Sequence, residues 1–178
     1  AVNSVSGLVS VGYNTLAGGL TMGGAGAAES RAWATHGNTT ISGDVYLATG
    51  GSSVFAGNGN WIISGQEGGN ENINDRFVKT GTLVSTTLWL QNSNNNFLQA
   101  PRVDGGTIRV GSAGALGSYS GTLSVDIQNG SFELRTDDPA GFANKNVIQR
   151  TNTSGNIFLD HDITGPLGIS TGLQNQTV

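Results

Sequence analysis

The sequence contains no cysteine, three prolines and only 11% charged residues. A chain without cysteine forms no disulfides and no thiolate metal sites, and it cannot use cysteine as a catalytic nucleophile. Its eight basic and twelve acidic residues give a net charge of -4, so no basic stripe is available to displace counterions from nucleic acid. It also lacks the run of about 18 apolar residues that a transmembrane helix needs. We therefore expect neither a nucleic-acid partner nor membrane insertion of this segment.

Glycine, by contrast, is abundant, with 29 of the 178 residues, and it recurs in one context. There a glycine is followed by a free position, an apolar residue, a second free position and a second apolar residue. Apolar residues two positions apart share one face of an extended strand, and the glycine provides the tight corner before the strand. The nine copies begin at Gly7, Gly18, Gly43, Gly59, Gly106, Gly121, Gly130, Gly155 and Gly165.

Short strands that alternate with glycine corners, without helical stretches between them, predict strands that are coiled and stacked on one another. The spacing of the copies suits coils of roughly 20–25 residues, which would give about seven or eight turns. We therefore predict an all-β fold, a parallel β-helix (solenoid) that occupies residues 1–178 as one domain, with buried aliphatic pairs as its core. Three segments interrupt the pattern and are predicted to protrude as loops: residues 29–39, with a short helical turn around Ala32 to Ala34 as the alternative, residues 66–76 and residues 135–146.

Three aromatic residues lie between apolar neighbours that are predicted to face the core. Tyr46 follows Val45, Trp89 follows Leu88 and Phe158 follows Ile157, so each ring should point outward. Three outward rings could form an apolar stripe that stacks on sugars or binds another protein. The alternative is that protruding loops fold back and cover them. We take Tyr46, Trp89 and Phe158 as a candidate contact surface.

Asp160 and Asp162 form the one acid-rich motif beside a predicted strand. If Leu159 points inward, both carboxylates point outward and lie about 6.5–7 Å apart along the strand. That separation could suit an inverting glycoside-cleaving pair or a calcium site. The simpler interpretation is two solvated carboxylates at a strand end. No nucleophile elbow, phosphate-binding loop or zinc signature is present, so we predict a protein without a cofactor.

The stretch from Phe77 to Gly117 carries a more specific pattern. A lysine and a glycine precede a strand, an Asn-Phe pair follows it, and a Gly-Gly-Thr strand leads to a closing Ala-Leu-Gly. This pattern resembles the passenger-associated transport repeat of bacterial autotransporters, and the close match covers residues 77–135. The matching positions are Lys79, Gly81, Leu88, Leu90, Asn96, Phe97, Gly105, Gly106, Thr107, Ile108, Val110, Leu116 and Gly117.

The resemblance implies a right-handed parallel β-helix that is secreted through an outer-membrane barrel and displayed on the bacterial cell surface. One departure is Ala100-Pro101-Arg102, where the family usually has a Gly-Thr-Thr-like turn. The geometry of this corner is therefore expected to differ from the family's.

Three functions are consistent with these observations. The first is a non-enzymatic secreted passenger, a rigid stalk or adhesive module that contacts a protein or glycan on a host or neighbouring cell. The second is a subunit of a self-assembling surface fibre, because a solenoid ends in open sheet edges that pair with further copies of itself. The third is a polysaccharide-active β-helix enzyme that uses Asp160 and Asp162.

Overall fold

The computed structural model describes residues 7–22, 29–47, 52–69, 76–81, 85–96, 99–117, 125–135, 146–149, 155–159 and 168–171. Within these ranges the regular structure consists of short strands and one 3₁₀-helix, Ala113–Leu116. In chain order the strands are β1 (Gly7–Ser10), β2 (Asn14–Leu16), β3 (Leu20–Met22), β4 (Glu29–Ala34), β5 (Asn38–Ile41), β6 (Val45–Leu47), β7 (Ser52–Gly57), β8 (Asn60–Ile63), β9 (Glu67–Gly69), β10 (Arg76–Lys79), β11 (Thr87–Leu90), β12 (Arg102–Val103), β13 (Thr107–Val110), β14 (Val125–Ile127), β15 (Gly130–Leu134), β16 (Asn146–Gln149), β17 (Gly155–Leu159) and β18 (Gly168–Thr171).

The strands form three sheets; the chain visits all three in rotation from β1 to β9, and the described strands from β10 to β18 alternate between the first and the second. The first sheet has the order β1-β4-β7-β10-β12-β14-β16-β18, the second β17-β15-β13-β11-β8-β5-β2, and the third β3-β6-β9. Each strand pair of the described residues is parallel, and from β1 to β9 every coil contributes one strand to each sheet. The predicted all-β, parallel solenoid is thus confirmed. Its handedness and the predicted number of turns stay predictions.

Inward side chains from successive coils stack into the core of the solenoid. The Phe55 ring lies edge-on to Trp61, with 5.4 Å between centroids, and is stacked on Phe77 at 5.7 Å. All three are fully buried, and the Trp61 Nε1–H donates to the Ala56 carbonyl at 3.2 Å. Aliphatic side chains continue the stack through β11, β13 and β15. The predicted aliphatic core therefore contains an aromatic cluster at the level of β7, β8 and β10.

The corner between β7 and β8 shows why a glycine is needed between two strands. Gly57 has φ of 98°, a backbone conformation that side-chain-bearing residues rarely adopt. A Cβ on Gly57 would lie 2.0 Å from the Ala34 carbonyl oxygen of the coil beside it. Glycine is required here both by the turn and by the close stacking of the two coils.

The predicted loop at residues 29–39 is wrong at residues 29–34 and 38–39, whereas residues 35–37 connect two strands. Residues 29–34 form strand β4, which lies between β1 and β7 in the first sheet, and not a loop or a helical turn. Ala32 and Ala34 are buried and Trp33 faces outward. Ala32 lies beside Phe55 of the next coil. Because the large Phe55 ring fills most of the core volume at this level, alanine is large enough for the inward positions of β4.

In the first glycine motif, the residues that face inward are one position earlier than predicted. Val9 and Val11 are each 63% exposed, whereas Ser10 is buried and Leu8 packs against the core. A shift of one residue moves each side chain to the opposite face of a strand. The pairing of Leu8 with Ala32 sets this register and places Val9 beside the outward Trp33.

The predicted polar loop at residues 66–76 is wrong at residues 67–69 and at residue 76. Glu67–Gly69 is the strand β9, which pairs with β6, and Arg76 begins the next strand of the first sheet. Backbone pairing with the neighbouring coil keeps these residues extended, although Glu67 and Arg76 have ionisable side chains. Of the predicted loop at residues 135–146, positions 136–145 lie outside the described residues.

Candidate functional site

The outer face of the second sheet carries one side chain from each strand in a continuous row. Because all of its strands are parallel and in register, residues from distant parts of the sequence become lateral neighbours. Trp89 lies between Ile62 and Arg109, and Arg109 lies between Trp89 and Glu133. The whole row is Thr15, Thr40, Ile62, Trp89, Arg109, Glu133 and Phe158.

This row contains two of the three aromatic residues that were predicted to form a contact surface. Trp89 and Phe158 share it, with Arg109 and Glu133 between them. Phe158 is 50% exposed, while Trp89 is half-buried among its neighbours. Tyr46 lies on the third sheet, on β6. The structure therefore brings two of the three rings to one face and places the third on another.

Trp89 is held in place by the residue that follows it in the row. The Arg109 guanidinium carbon lies 5.3 Å from the centre of the indole ring, a distance that allows a cation–π interaction. This contact covers one face of the ring. Trp89 therefore forms a side wall of a site and does not offer that face to stack on a ligand. Its Nε1–H is buried and has no hydrogen-bond partner.

Arg109 in turn belongs to an ion-pair chain along the sheet. Its Nε donates to Glu133 at 2.7 Å, and the Nε of Arg135 donates to the other Glu133 oxygen at 2.5 Å. Burial alone would raise the pKa of Glu133, but the hydrogen bonds and charges of Arg135 and Arg109 outweigh it and lower that pKa. Glu133 is consequently ionised at neutral pH and orients Arg109. Two guanidinium groups therefore share the Glu133 carboxylate.

A groove of about 290 Å³ lies beside this row, over β5, β8, β11 and β13. Its walls are Ile62, Trp89 and Arg109 on one side and a second outward row of polar side chains on the other. That polar row is Asn38, Asn60 and Thr87, with Ser85 at its margin.

Hydrogen bonds between coils fix the polar wall. The Asn60 side chain donates to the Asn38 Oδ1 at 2.9 Å and accepts from the Thr87 backbone N–H at 2.8 Å. Asn60 thus forms a link in a short amide ladder and holds the groove in one geometry. The amide nitrogen of Asn38 is left available to a ligand.

Tyr46 marks a smaller depression on the third sheet. It is 44% exposed and pairs with Gly68 of the next coil, which has no side chain to cover it. The space beside the ring is about 180 Å³ and is bounded by Asp44, Gln66 and Asn96. The predicted exposure of the Tyr46 ring is confirmed, and its surroundings are polar.

Two exposed aromatic residues were not among the predicted contact residues. Tyr13 is the most exposed large hydrophobic side chain of the described residues, and Trp33 faces outward from the first sheet. Both lie in or beside segments where the glycine motif did not predict the strand correctly. The alternation of small and large residues around Ala32, Trp33 and Ala34 was the signal that could have identified Trp33 as outward. Asp160 and Asp162 lie outside the described residues, and their role as an acidic pair stays a prediction.

Two buried ionisable side chains were also unexpected. Glu67 replaces an aliphatic residue in the inward column of the third sheet, next to Val45. Asn95 donates to its Oε2 at 3.1 Å, its Oε1 has no partner, and burial raises its pKa well above the ordinary value. Lys79 is fully buried beside Phe55. Its ammonium group donates to the Thr80 carbonyl and the Thr86 hydroxyl, and burial lowers its pKa to about 8.

In the part of the chain that the structure describes, no helix has the length and apolar character to cross a membrane, and no three His, Cys, Asp or Glu side chains gather to hold a metal ion. Comparison with protein-family models, with curated proteins and with solved structures finds no match to this chain. The resemblance of residues 77–135 to the autotransporter repeat therefore stays a prediction.

Proposed function

We propose that this chain is a non-enzymatic contact module of a secreted, surface-displayed bacterial protein. In this proposal it is a right-handed β-helix of seven or eight turns that acts as a stalk and presents the outer face of its second sheet to a protein or glycan of another cell. The observation that carries the proposal is the groove beside Trp89 and Arg109, whose walls are fixed by contacts between coils. Tryptophan and arginine are the residue types enriched at the energetic centres of interfaces.

The solenoid geometry supports such a role. Side chains held on a paired sheet lose little conformational freedom on binding, which lowers the entropic cost of association. Stacked coils also repeat the same kind of surface along the axis, so several weak contacts act together. The half-exposed Phe158 ring extends the row beyond Glu133.

Replacing Trp89 with serine is expected to reduce adhesion severalfold, because it removes the wall of the groove and the partner of Arg109. The β-type circular dichroism spectrum should not change, since Trp89 faces away from the core. The measurement is the attachment of beads coated with the purified chain to a panel of bacterial and epithelial cells.

The matched control is Trp33→Ser, which removes an outward indole from the first sheet. It should leave adhesion unchanged. Equal losses in the two variants would argue for non-specific apolar adhesion and against a contact face on the second sheet. Loss of the β-type spectrum in the Trp89 variant would show that this residue is part of the core.

A second candidate, assembly into a fibre, is favoured by the end of the solenoid formed by β1, β2 and β3. Among the described residues no strand pairs with the outer edges of these strands. The inward leucines of this coil, Leu8, Leu16 and Leu20, are only partly buried. Open strand edges beside partly buried leucines favour pairing with a second copy of the chain.

Replacing Leu16 with lysine is expected to abolish such association, because a charge at an open edge opposes strand pairing. Sedimentation velocity at several protein concentrations should show growing species for the wild type and a monomer for this variant. Thr40→Lys, on the outer face of β5 and away from the open edge, should associate like the wild type. A wild type that is monomeric at all concentrations would refute the fibre.

A further inference from the structure

We propose that the groove on the second sheet binds an acidic saccharide, a sugar unit that carries a carboxylate. This inference rests on the proposed contact function and specifies the ligand of the same surface. It follows from which hydrogen-bonding groups of the groove are already used and which are left.

The amide oxygens of the polar wall are engaged by the protein itself. The Asn38 Oδ1 accepts from the Asn60 amide, and the Asn60 Oδ1 accepts from the backbone of Thr87. The groups left to a ligand are nitrogen donors and the hydroxyls of Ser85 and Thr87, which donate or accept. Asn38 retains its amide nitrogen, and Arg109 uses only Nε, for Glu133, which leaves the two terminal nitrogens of its guanidinium.

The charge of the groove agrees with the free nitrogen donors. Arg109 shares the carboxylate of Glu133 with Arg135, so Glu133 is not a partner of Arg109 alone. A guanidinium with two free terminal nitrogens presents the planar fork that matches a carboxylate. An anionic ligand therefore finds at Arg109 a charge that its own pairing partner does not fully neutralise.

The position of the groove distinguishes a saccharide from a peptide. An extended peptide binds a sheet best at an edge, where unpaired backbone groups accept it as a further strand. The groove lies on the face of the sheet, over strands that are each paired on both sides, and offers side chains only. A sugar ring carries its polar groups around its periphery and needs only side-chain partners such as Thr87, Ser85 and Asn38.

The size of the groove fits a short saccharide segment. At about 290 Å³ it lies just below the usual range for small-molecule sites, roughly 300–1,000 Å³. The axis of the solenoid runs across the strands, so a polysaccharide that follows this axis would pass Asn38, Asn60 and Thr87 in turn. The remaining sugars of the chain would extend over the outer face of neighbouring coils.

The test is titration of the purified full chain with oligogalacturonate and with sialyllactose, each beside its neutral counterpart, and with polyglutamate as the acidic peptide. Calorimetry measures the affinity and tryptophan fluorescence places the site. We expect saturable binding of at least one acidic saccharide, weaker binding of its neutral counterpart and of polyglutamate, and a fluorescence change that is lost in Trp89→Phe and kept in Trp33→Phe.

Arg109→Gln should lower the affinity for the acidic saccharide about tenfold or more, the effect of losing a charge-assisted hydrogen-bonded pair. Arg102→Gln is the matched control, because Arg102 is an outward arginine of the first sheet that also pairs with a carboxylate, Asp104 at 2.6 Å. It should leave the affinity unchanged.

Three results would overturn the inference: equal affinity for acidic and neutral sugars, equal or tighter binding of polyglutamate, or no saturable binding of either acidic saccharide at millimolar concentration. None of these decides the contact function, because the adhesion difference between the Trp89 and Trp33 variants is measured independently of the ligand. Loss of that adhesion difference, in contrast, would refute the contact face itself.

Discussion

Replacing Trp61 with alanine is expected to destabilise the solenoid by about 3–5 kcal/mol, the range for deleting a large aromatic side chain from a core. Trp61 is fully buried and packs edge-on against Phe55, which is in turn stacked on Phe77. The substitution leaves a cavity between two successive coils. It also removes the hydrogen bond from the indole N–H to the Ala56 carbonyl, which adds to the cost.

The neighbouring position provides the control for this prediction. Ile62 is adjacent in sequence but points outward into the row with Trp89, so Ile62→Ala should cost no more than about 1 kcal/mol. Chemical denaturation followed by circular dichroism measures both variants. If the two substitutions cost the same, the inward–outward alternation of β8 would be wrong, and with it the assignment of Trp89 to the outer face.

Replacing Glu67 with glutamine is expected to change the pH dependence of stability. Burial raises the pKa of Glu67 in the folded chain, so the folded state holds this proton more tightly than the unfolded state does. The contribution of Glu67 to stability should therefore be greatest below its unfolded pKa of about 4.3 and fall as the pH rises towards the folded pKa, by about 1.4 kcal/mol per pH unit. Glutamine cannot ionise, so the variant should lack this decline.

The measurement is the free energy of unfolding of both proteins between pH 4 and pH 8. The two should be similar at the acid end, and the glutamine variant should be the more stable at the neutral end. The pH range ends at 8 because burial lowers the pKa of Lys79 to about 8. Above that pH the folded state loses this proton before the unfolded state does, so the contribution of Lys79 makes stability rise with pH. If the free energy of unfolding changed with pH in the same way in both proteins, the pKa of Glu67 would not be raised by burial, and the prediction would be wrong.

Much of the fold could be predicted because its signals are local. The strand containing Ile108 and Val110 and the strand containing Phe132 and Leu134 lie where the glycine motif predicts them, with those side chains buried. A period of two and a tight glycine corner depend only on a few consecutive residues. The same rule failed at Val9, because there the pairing of Leu8 with the next coil determines which face is inward.

The site was predictable only in part. The alternation around Trp89 and Phe158 showed that both rings face outward, but not that Arg109 and Glu133 stand between them. Glu67 was predicted to lie in a polar loop, because carboxylates are rarely buried in a core of aliphatic side chains. Its partner Asn95 comes from the following coil, far away in sequence.

By itself, then, the sequence determined that this chain forms short strands separated by glycine corners, and that these strands stack in parallel as a solenoid. The tertiary structure decided which outward side chains become neighbours, which charges are buried, and that Tyr46 lies on a different face from Trp89. The physical reason is that strand formation is governed by adjacent residues, whereas lateral neighbours are set by the register between coils. That register depends on the length of every corner in between and on how the core packs once the coils are stacked.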